Sequence, residues 1–221
     1  MFSFYLLIII FGACIGSFLN VLILRLPKNQ SFVFKRSHCY SCNNNIKFYD
    51  LIPILSWIFL KGKCRYCRHS ISIRYPLIEL ATSFLFVLSI ASKGFLNNNF
   101  TNLFTIFSGW LLLSLLISLT IIDIEEMILP NSITYSGSAF GLVLILFYDL
   151  FFSNLSYNLI FDHLIAFIIG LFGVYFFGII VEMIINKPAL GGGDAKLFAM
   201  SGAWLGTSGL EVTIVLSFLI A

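Results

Sequence analysis

Six apolar runs, at roughly 2–24, 77–92, 102–122, 133–152, 159–185 and 199–221, decide what this chain can fold into. About 20 apolar residues of α-helix cross the hydrocarbon core of a bilayer, where every backbone polar group must be satisfied internally. With 59% hydrophobic and only 10% charged residues, the 221-residue chain has far too little polar surface for a soluble domain. The expected class is all-α, a polytopic transmembrane helical bundle of about six spans. The second run is short and must borrow from its flanks, and the fifth is long enough to tilt. The first run has no positive residue before it, is long, and is followed by Arg25, so it reads as a retained helix rather than a secretory signal.

The charges are segregated. Ten of the 13 Lys and Arg fall between Arg25 and Arg74, against one acid, Asp50. Basic loops stay in the cytoplasm, which puts the amino terminus outside and the loops at 123–132 and 186–198 inside. Loops 93–101 and 153–158 then fall outside, and Lys187 reads as an inner anchor. Three regions follow: a first transmembrane helix (1–24), a cytoplasmic basic cysteine-rich segment (25–76) and a transmembrane core (77–221). The chain ends within an apolar run, so the last helix is expected either to be cut short or to stop at the far boundary. Trp57, Trp110 and Trp204 read as interface anchors, His163 as interfacial, and Glu79, Glu182 and Glu211 as groups that pair inside the bundle. No internal repeat is evident, and the partners expected are a lipid bilayer and no nucleic acid.

Four of the five cysteines sit in the basic segment as Cys39-Tyr-Ser-Cys42 and Cys64-Arg-Tyr-Cys67. Two such pairs in a reducing compartment fit a tetrahedral four-thiolate zinc site, which folds a small loop lacking a core of its own. A pair of disulfides is the competing reading, disfavoured by a cytoplasmic location. His38 and His69 flank the pairs and could replace a thiolate, and Lys61, Lys63, Arg65 and Arg68 would offset the negative charge. Cys14, in the first run, reads as a packed small residue.

Two acidic motifs land on the same membrane face. Asp123 stands where the third run stops, followed by Glu125 and Glu126. Asp194 follows three glycines, Gly191, Gly192 and Gly193, and precedes Lys196. Glycines leave the backbone open to close approach by another chain. Two carboxylates meeting at a partly dry boundary share a proton, so that one activates a water while the other protonates a leaving amine. Helix polarity assigns them: Asp123 ends a helix, where negative charge is disfavoured, and Asp194 begins one, where it is favoured. Asp194 is therefore the expected base and Asp123 the expected acid. The bland alternatives are an acidic interfacial cluster and a flexible loop, in a membrane scaffold or transporter with a structural zinc knuckle.

The order of motifs resembles that of the bacterial type IV prepilin peptidases, G-x-G-D membrane aspartic proteases. The resemblance rests on Gly16-Ser17-Phe18-Leu19-Asn20-Val21 with Arg25-Leu26-Pro27, the cysteine pairs, Asp50 with Pro53-Ile-Leu-Ser56-Trp57, and Arg74-Tyr75-Pro76-Leu-Ile-Glu79. The Asp123 segment and Gly191-Gly192-Gly193-Asp194-Ala-Lys196 complete it. It implies an endopeptidase that cleaves the basic leader of type IV prepilins or pseudopilins at the cytoplasmic face of the bacterial inner membrane. Methylation of the new amino terminus with S-adenosylmethionine would follow. It also implies Asp123 and Asp194 as the catalytic pair, and Cys39, Cys42, Cys64 and Cys67 as zinc ligands. Glu125 and Glu126 would attract the leader's lysines, while the glycines and Lys196 border the substrate. The chain departs from the family where Leu129-Pro130-Asn131 replaces the usual Leu-Pro-Asp, and where it stops short of further transmembrane sequence.

Overall fold

A computed structural model describes residues 2–31, 36–93, 100–152, 157–185 and 191–220. Lys187, with 186 and 188–190 beside it, and the loop tips at 94–99 and 153–156 lie outside the described residues. Eight α-helices are described: α1 (Phe2–Arg25), α2 (Leu55–Phe59), α3 (Arg74–Lys93), α4 (Phe100–Glu126), α5 (Asn131–Phe152), α6 (Tyr157–Ile168), α7 (Val174–Ile185) and α8 (Gly192–Ile220). One 3₁₀ turn, Phe48–Leu51, precedes α2, and a π-helical turn, Ile169–Gly173, joins α6 to α7. Five segments are long and apolar enough to cross a membrane: Ser3–Arg25, Arg74–Ala91, Thr101–Glu126, Asn131–Phe152 and Asn158–Ile185. The sixth apolar run belongs to α8, which is not among the five and which is broken at Gly206 (φ 71°, ψ −171°). The chain forms two compact units, 1–126 and 127–221.

In the first unit α1 and α3 approach backbone to backbone. A Cβ at Gly12 would stand 2.7 Å from Ser83 Cα, and one at Gly16 would stand 2.7 Å from Glu79 Cα. Glycines four apart on one face permit this approach, which yields dispersion contact where lipid offers no hydrophobic drive. The Ser83 hydroxyl donates across the seam to the Ile9 carbonyl at 3.0 Å. Farther along, Ile8, Phe86, Ile90, Ile106 and Trp110 form a core that includes α4. Trp110 stacks on Phe86 at 4.7 Å and donates its indole N–H to Ser89 at 2.8 Å, so it is a core residue rather than an interface anchor. Cys14, expected to be packed, is exposed on α1.

In the second unit a ridge of small residues on α6 and its π turn fits α8. A Cβ at Gly170 would lie 2.6 Å from the Phe198 carbonyl oxygen, and one at Gly202 would lie 2.5 Å from that of Ala166. Trp204 packs over Gly141 of α5 and donates to the Gly137 carbonyl at 2.8 Å. His163 is not merely interfacial, since its Nδ1 lies 3.1 Å from the Ala203 carbonyl oxygen. Glu182 and Glu211, expected to pair inside the bundle, are exposed on outward faces of α7 and α8.

Candidate metal centre and active-site carboxylates

Among the described residues between 36 and 73, Cys64 is the one buried hydrophobic side chain, and the cysteines shape the segment. All four are free of disulfides, and their sulfurs lie within 4.8 Å of one another. Cys39 Sγ and Cys67 Sγ are 3.8 Å apart. Zinc–sulfur bonds of about 2.3 Å at tetrahedral angles set neighbouring sulfurs about 3.8 Å apart, the spacing that Cys39 and Cys67 already have. Cys64 is drawn down to about 7 by the backbone N–H groups of Cys67 and Tyr66, which stabilise its thiolate. Cys67 has the His69 N–H working in the same direction, but desolvation and the neighbouring thiols Cys42, Cys64 and Cys39 push it up to about 11. Cooperative loss of these protons to a cation is the chemistry of a metal centre. His38 and His69 are not members of the cluster among the described residues.

The two cysteine pairs are copies of one hairpin, a repeat that the sequence does not announce. Cys39 N–H bonds the Asn44 carbonyl and Asn43 N–H bonds that of Cys39, at 3.0 and 2.8 Å. Twenty-five residues on, Cys64 N–H bonds His69 and Arg68 N–H bonds Cys64, at 2.8 and 3.1 Å. Ile46 to Ser37 and Ile71 to Gly62 close the two turns in the same way. Asn43 and Arg68 both take positive φ, 55° and 59°. Only the cysteines and the closing isoleucine are common to the two sequences, which is why the repeat is silent at the residue level. Arg65, expected to offset thiolate charge, instead gives a forked pair of bonds to Asp50, at 2.6 and 2.9 Å. That pairing holds the Asp50 carboxyl below its ordinary range and ties the second hairpin to the 3₁₀ turn.

A cavity of about 390 Å³ opens between this loop and the helices α1 and α3. Asn20, Arg25, Trp57, Tyr66, Tyr75 and Glu79 are among its lining residues. Arg25 reaches away, donating to the Ser31 and Arg36 carbonyls.

The acidic motifs belong to different units. Asp123 is exposed in the last turn of α4, which stops at Glu126 as Met127 turns to positive φ (53°). Glu125 is taken by an ion pair with Arg74 at the start of α3, while Glu126 is exposed. In the second unit Asp194 lies in the first turn of α8. Its Oδ2 accepts the Gly191 N–H at 3.0 Å, the reach-back half of a capping box. Gly193 lies against Leu129, where a Cβ would approach to 3.2 Å, and Gly192 has open space around it. Lys196 donates to Asn131 Oδ1 at 2.6 Å and sits over the Tyr135 ring at 5.6 Å. The asparagine that replaces the usual aspartate therefore has an assigned partner.

Residues 10–92 match the Bacterial Peptidase A24 N-terminal domain, and residues 110–221 match the Type IV leader peptidase family. The chain belongs to the peptidase A24 family. Among its relatives, a prepilin leader peptidase/N-methyltransferase of Myxococcus xanthus (strain DK1622) is 35% identical over 202 residues, covering 91% of this chain and 56% of the relative. Proteins of the same name from Aeromonas salmonicida (strain A449) and Klebsiella pneumoniae are 32% and 36% identical, over 98% and 93% of this chain and 78% and 87% of their own lengths. The chain thus spans just over half of the Myxococcus relative. No solved structure matches it. With five candidate spans, this A24 member is a multi-pass membrane protein of a bacterial family.

Three arrangements escaped the sequence reading of this A24 chain: the hairpin repeat, the Asp50–Arg65 fork, and a carboxylate on α6 that caps the break in α8. The last had a legible signal, an acid inside an apolar run paired with a mid-run Gly-Thr.

Proposed function

We propose that the chain is a membrane aspartic endopeptidase that removes the basic leader from type IV prepilins or pseudopilins at the cytoplasmic face of the inner membrane. The observation that carries this reading is the setting of Asp194. It stands in the first turn of α8, one oxygen held by Gly191 N–H, beside Gly192, where an added Cβ would meet nothing within 4 Å. Its position at the start of a helix fits the role of base, and the bare glycine backbone admits an extended peptide. Asp123, at the opposite polarity of α4, suits the acid. Asp194 takes a proton from water as the water oxygen bonds to the scissile carbonyl carbon. Asp123 then gives its proton to the leaving nitrogen as the C–N bond breaks. The clustering of ten cations between Arg25 and Arg74 supports an inward-facing loop and an outer amino terminus. With Glu125 engaged by Arg74, Glu126 is the acid open to a leader lysine, and a surface pair of that kind contributes at most about 1 kcal/mol.

Zinc held by Cys39, Cys42, Cys64 and Cys67 serves to fold the loop rather than to react. We extend the reading to N-methylation of the new amino terminus, supported by the names of the relatives and by the cavity beside the loop. S-adenosylmethionine supplies an electrophilic methyl group when bound.

The test is leader cleavage of a prepilin by the full chain in detergent micelles, with zinc content and thermal unfolding as measures of folding. Asp123→Asn and Asp194→Asn should each lower the rate by about 10²–10⁴ while both folding measures hold. A folded variant that cleaves at the wild-type rate removes that aspartate from the mechanism.

A further inference from the structure

We infer that the cavity between α1, α3 and the cysteine loop is a binding site for the amino-acid end of S-adenosylmethionine, with Asn20 and Glu79 as the acceptors of its ammonium group. The inference rests on the N-methylation reading and assigns it a place.

The wall formed by α1 and α3 carries two acceptors that can take a further donor, Asn20 Oδ1 and the Glu79 carboxylate. Asn20 is 2% exposed. Its Nδ2 is committed to the Gly16 and Tyr75 carbonyls, each at 3.2 Å, which fixes the amide orientation because a flip would set oxygen against oxygen. Its Oδ1 is left buried with no hydrogen bond. A buried acceptor without a donor is unfavourable until one arrives. Glu79 is 7% exposed, and Gly16 lies against its backbone. One of its oxygens accepts the Ile54 N–H at 2.7 Å. Among the described residues no cationic side chain pairs with it. A buried carboxylate held only by neutral donors is electrostatically incomplete.

Ser17, Asn20 and Glu79 all line the cavity. What they lack is a compact cation carrying several N–H donors, which is an ammonium group. Trp57, Tyr66 and Tyr75 line the same space and offer flat faces to a purine and to a sulfonium charge. The cavity volume, about 390 Å³, lies in the range of sites for small organic ligands, roughly 300–1,000 Å³. Glu79 also fixes the loop, because Ile54 is a β-branched residue held at φ 61° by that hydrogen bond. The carboxylate that receives the ligand is thus the one that sets the floor of its site.

The experiment is equilibrium binding to the zinc-loaded full chain in micelles, with S-adenosylmethionine, S-adenosylhomocysteine and adenosine as probes. The first two carry the ammonium and should bind, and adenosine should bind at least tenfold more weakly. Glu79→Gln, which keeps an acceptor for Ile54 N–H, and Asn20→Leu should each weaken the first two at least tenfold with zinc retained. Unchanged affinity in both zinc-loaded variants overturns the site and leaves methylation standing. Failure of the wild type to bind either ammonium-bearing probe overturns the site and methylation together, with leader cleavage unaffected as a reading. A photoreactive azidoadenine analogue of S-adenosylmethionine makes the test independent of substitution. Crosslinks on peptides containing Trp57, Tyr66 or Tyr75 support the site, and crosslinks confined to the second unit overturn it.

Discussion

Asp162 of α6 closes the broken end of α8 at Thr207. Its Oδ1 accepts the Thr207 hydroxyl at 2.6 Å and its Oδ2 accepts the Thr207 N–H at 3.2 Å. Gly206 makes the break, and a Cβ there would stand 2.3 Å from Asp162 Oδ2. The neighbouring His163 faces the Ala203 carbonyl left over on the other side. Two successive residues of one helix thereby satisfy both ends of an interruption in another. Unsatisfied helix ends are costly where water is scarce. Asp162→Ala should lower stability by about 1–3 kcal/mol, the range for a hydrogen bond to a charged group, while Asp162→Asn keeps an acceptor and should cost less. Gly206→Ala should also destabilise, since it combines a left-handed backbone with the carboxylate contact. Reversible unfolding in mixed micelles measures all three; an alanine at 162 with wild-type stability would show that the cap is dispensable.

The bond between Lys196 and Asn131 gives a second expectation. Asn131→Asp should turn a neutral acceptor into an ion-pair partner at an exposed position, raising stability by no more than about 1 kcal/mol. That gain should fade in 1 M salt, where charges are screened within about 3 Å. Lys196→Met should lose about 0.5–1.5 kcal/mol of hydrogen bonding and remove the salt response of Asn131→Asp. A salt-independent gain would place the effect in something other than the pair.

Asp194 holds a structural bond as well as its proposed chemical role, and the two separate by substitution. Asn can accept the Gly191 N–H, so Asp194→Asn should preserve the start of α8 and change unfolding by only a few tenths of a kcal/mol. Asp194→Leu cannot, and should cost about 0.5–2 kcal/mol. Both should lower leader cleavage by about 10²–10⁴. Cleavage that tracks stability across the pair, with Asn active and Leu inactive, would make Asp194 a capping residue only.

The apolar runs made the helices legible because a span of about 20 residues has few alternatives in a bilayer. They overstated α8, where hydropathy continues through Gly206 but the helix does not. The cysteine cluster was legible from spacing, because C-x-x-C pairs carry their geometry locally. The hairpin repeat was hidden because backbone bonds, rather than side chains, build it. Glu79 was readable as a buried acid, yet its partner is a backbone N–H 25 residues earlier, at an isoleucine whose positive φ no propensity suggests. Glu125 was readable as an interfacial acid, but its pairing with Arg74 depends on how α3 and α4 pack.

The proposed zinc site should be acid-dependent because of the cysteines themselves. Without metal, Cys64 holds its proton only up to about 7 and Cys67 up to about 11. Zinc takes thiolates, so binding must expel whatever protons the four sulfurs carry. Above about pH 7 Cys64 is already ionised and contributes no proton; below it, Cys64 is protonated and must release one more. The logarithm of the zinc affinity should therefore fall as pH falls, and its slope should steepen by up to one proton on crossing from pH 8 to pH 6. Competition with a chromophoric chelator at pH 6, 7 and 8 reads this directly, and Cys64→Ser should weaken binding and remove the steepening. Because Cys64 is the one buried hydrophobic among the loop's described residues, stripping zinc from the proposed site should also open both hairpins, seen as loss of amide protection at Asn43 and Arg68. A slope that stays constant through pH 7 would mean that Cys64 does not hold the low-pH proton assigned to it.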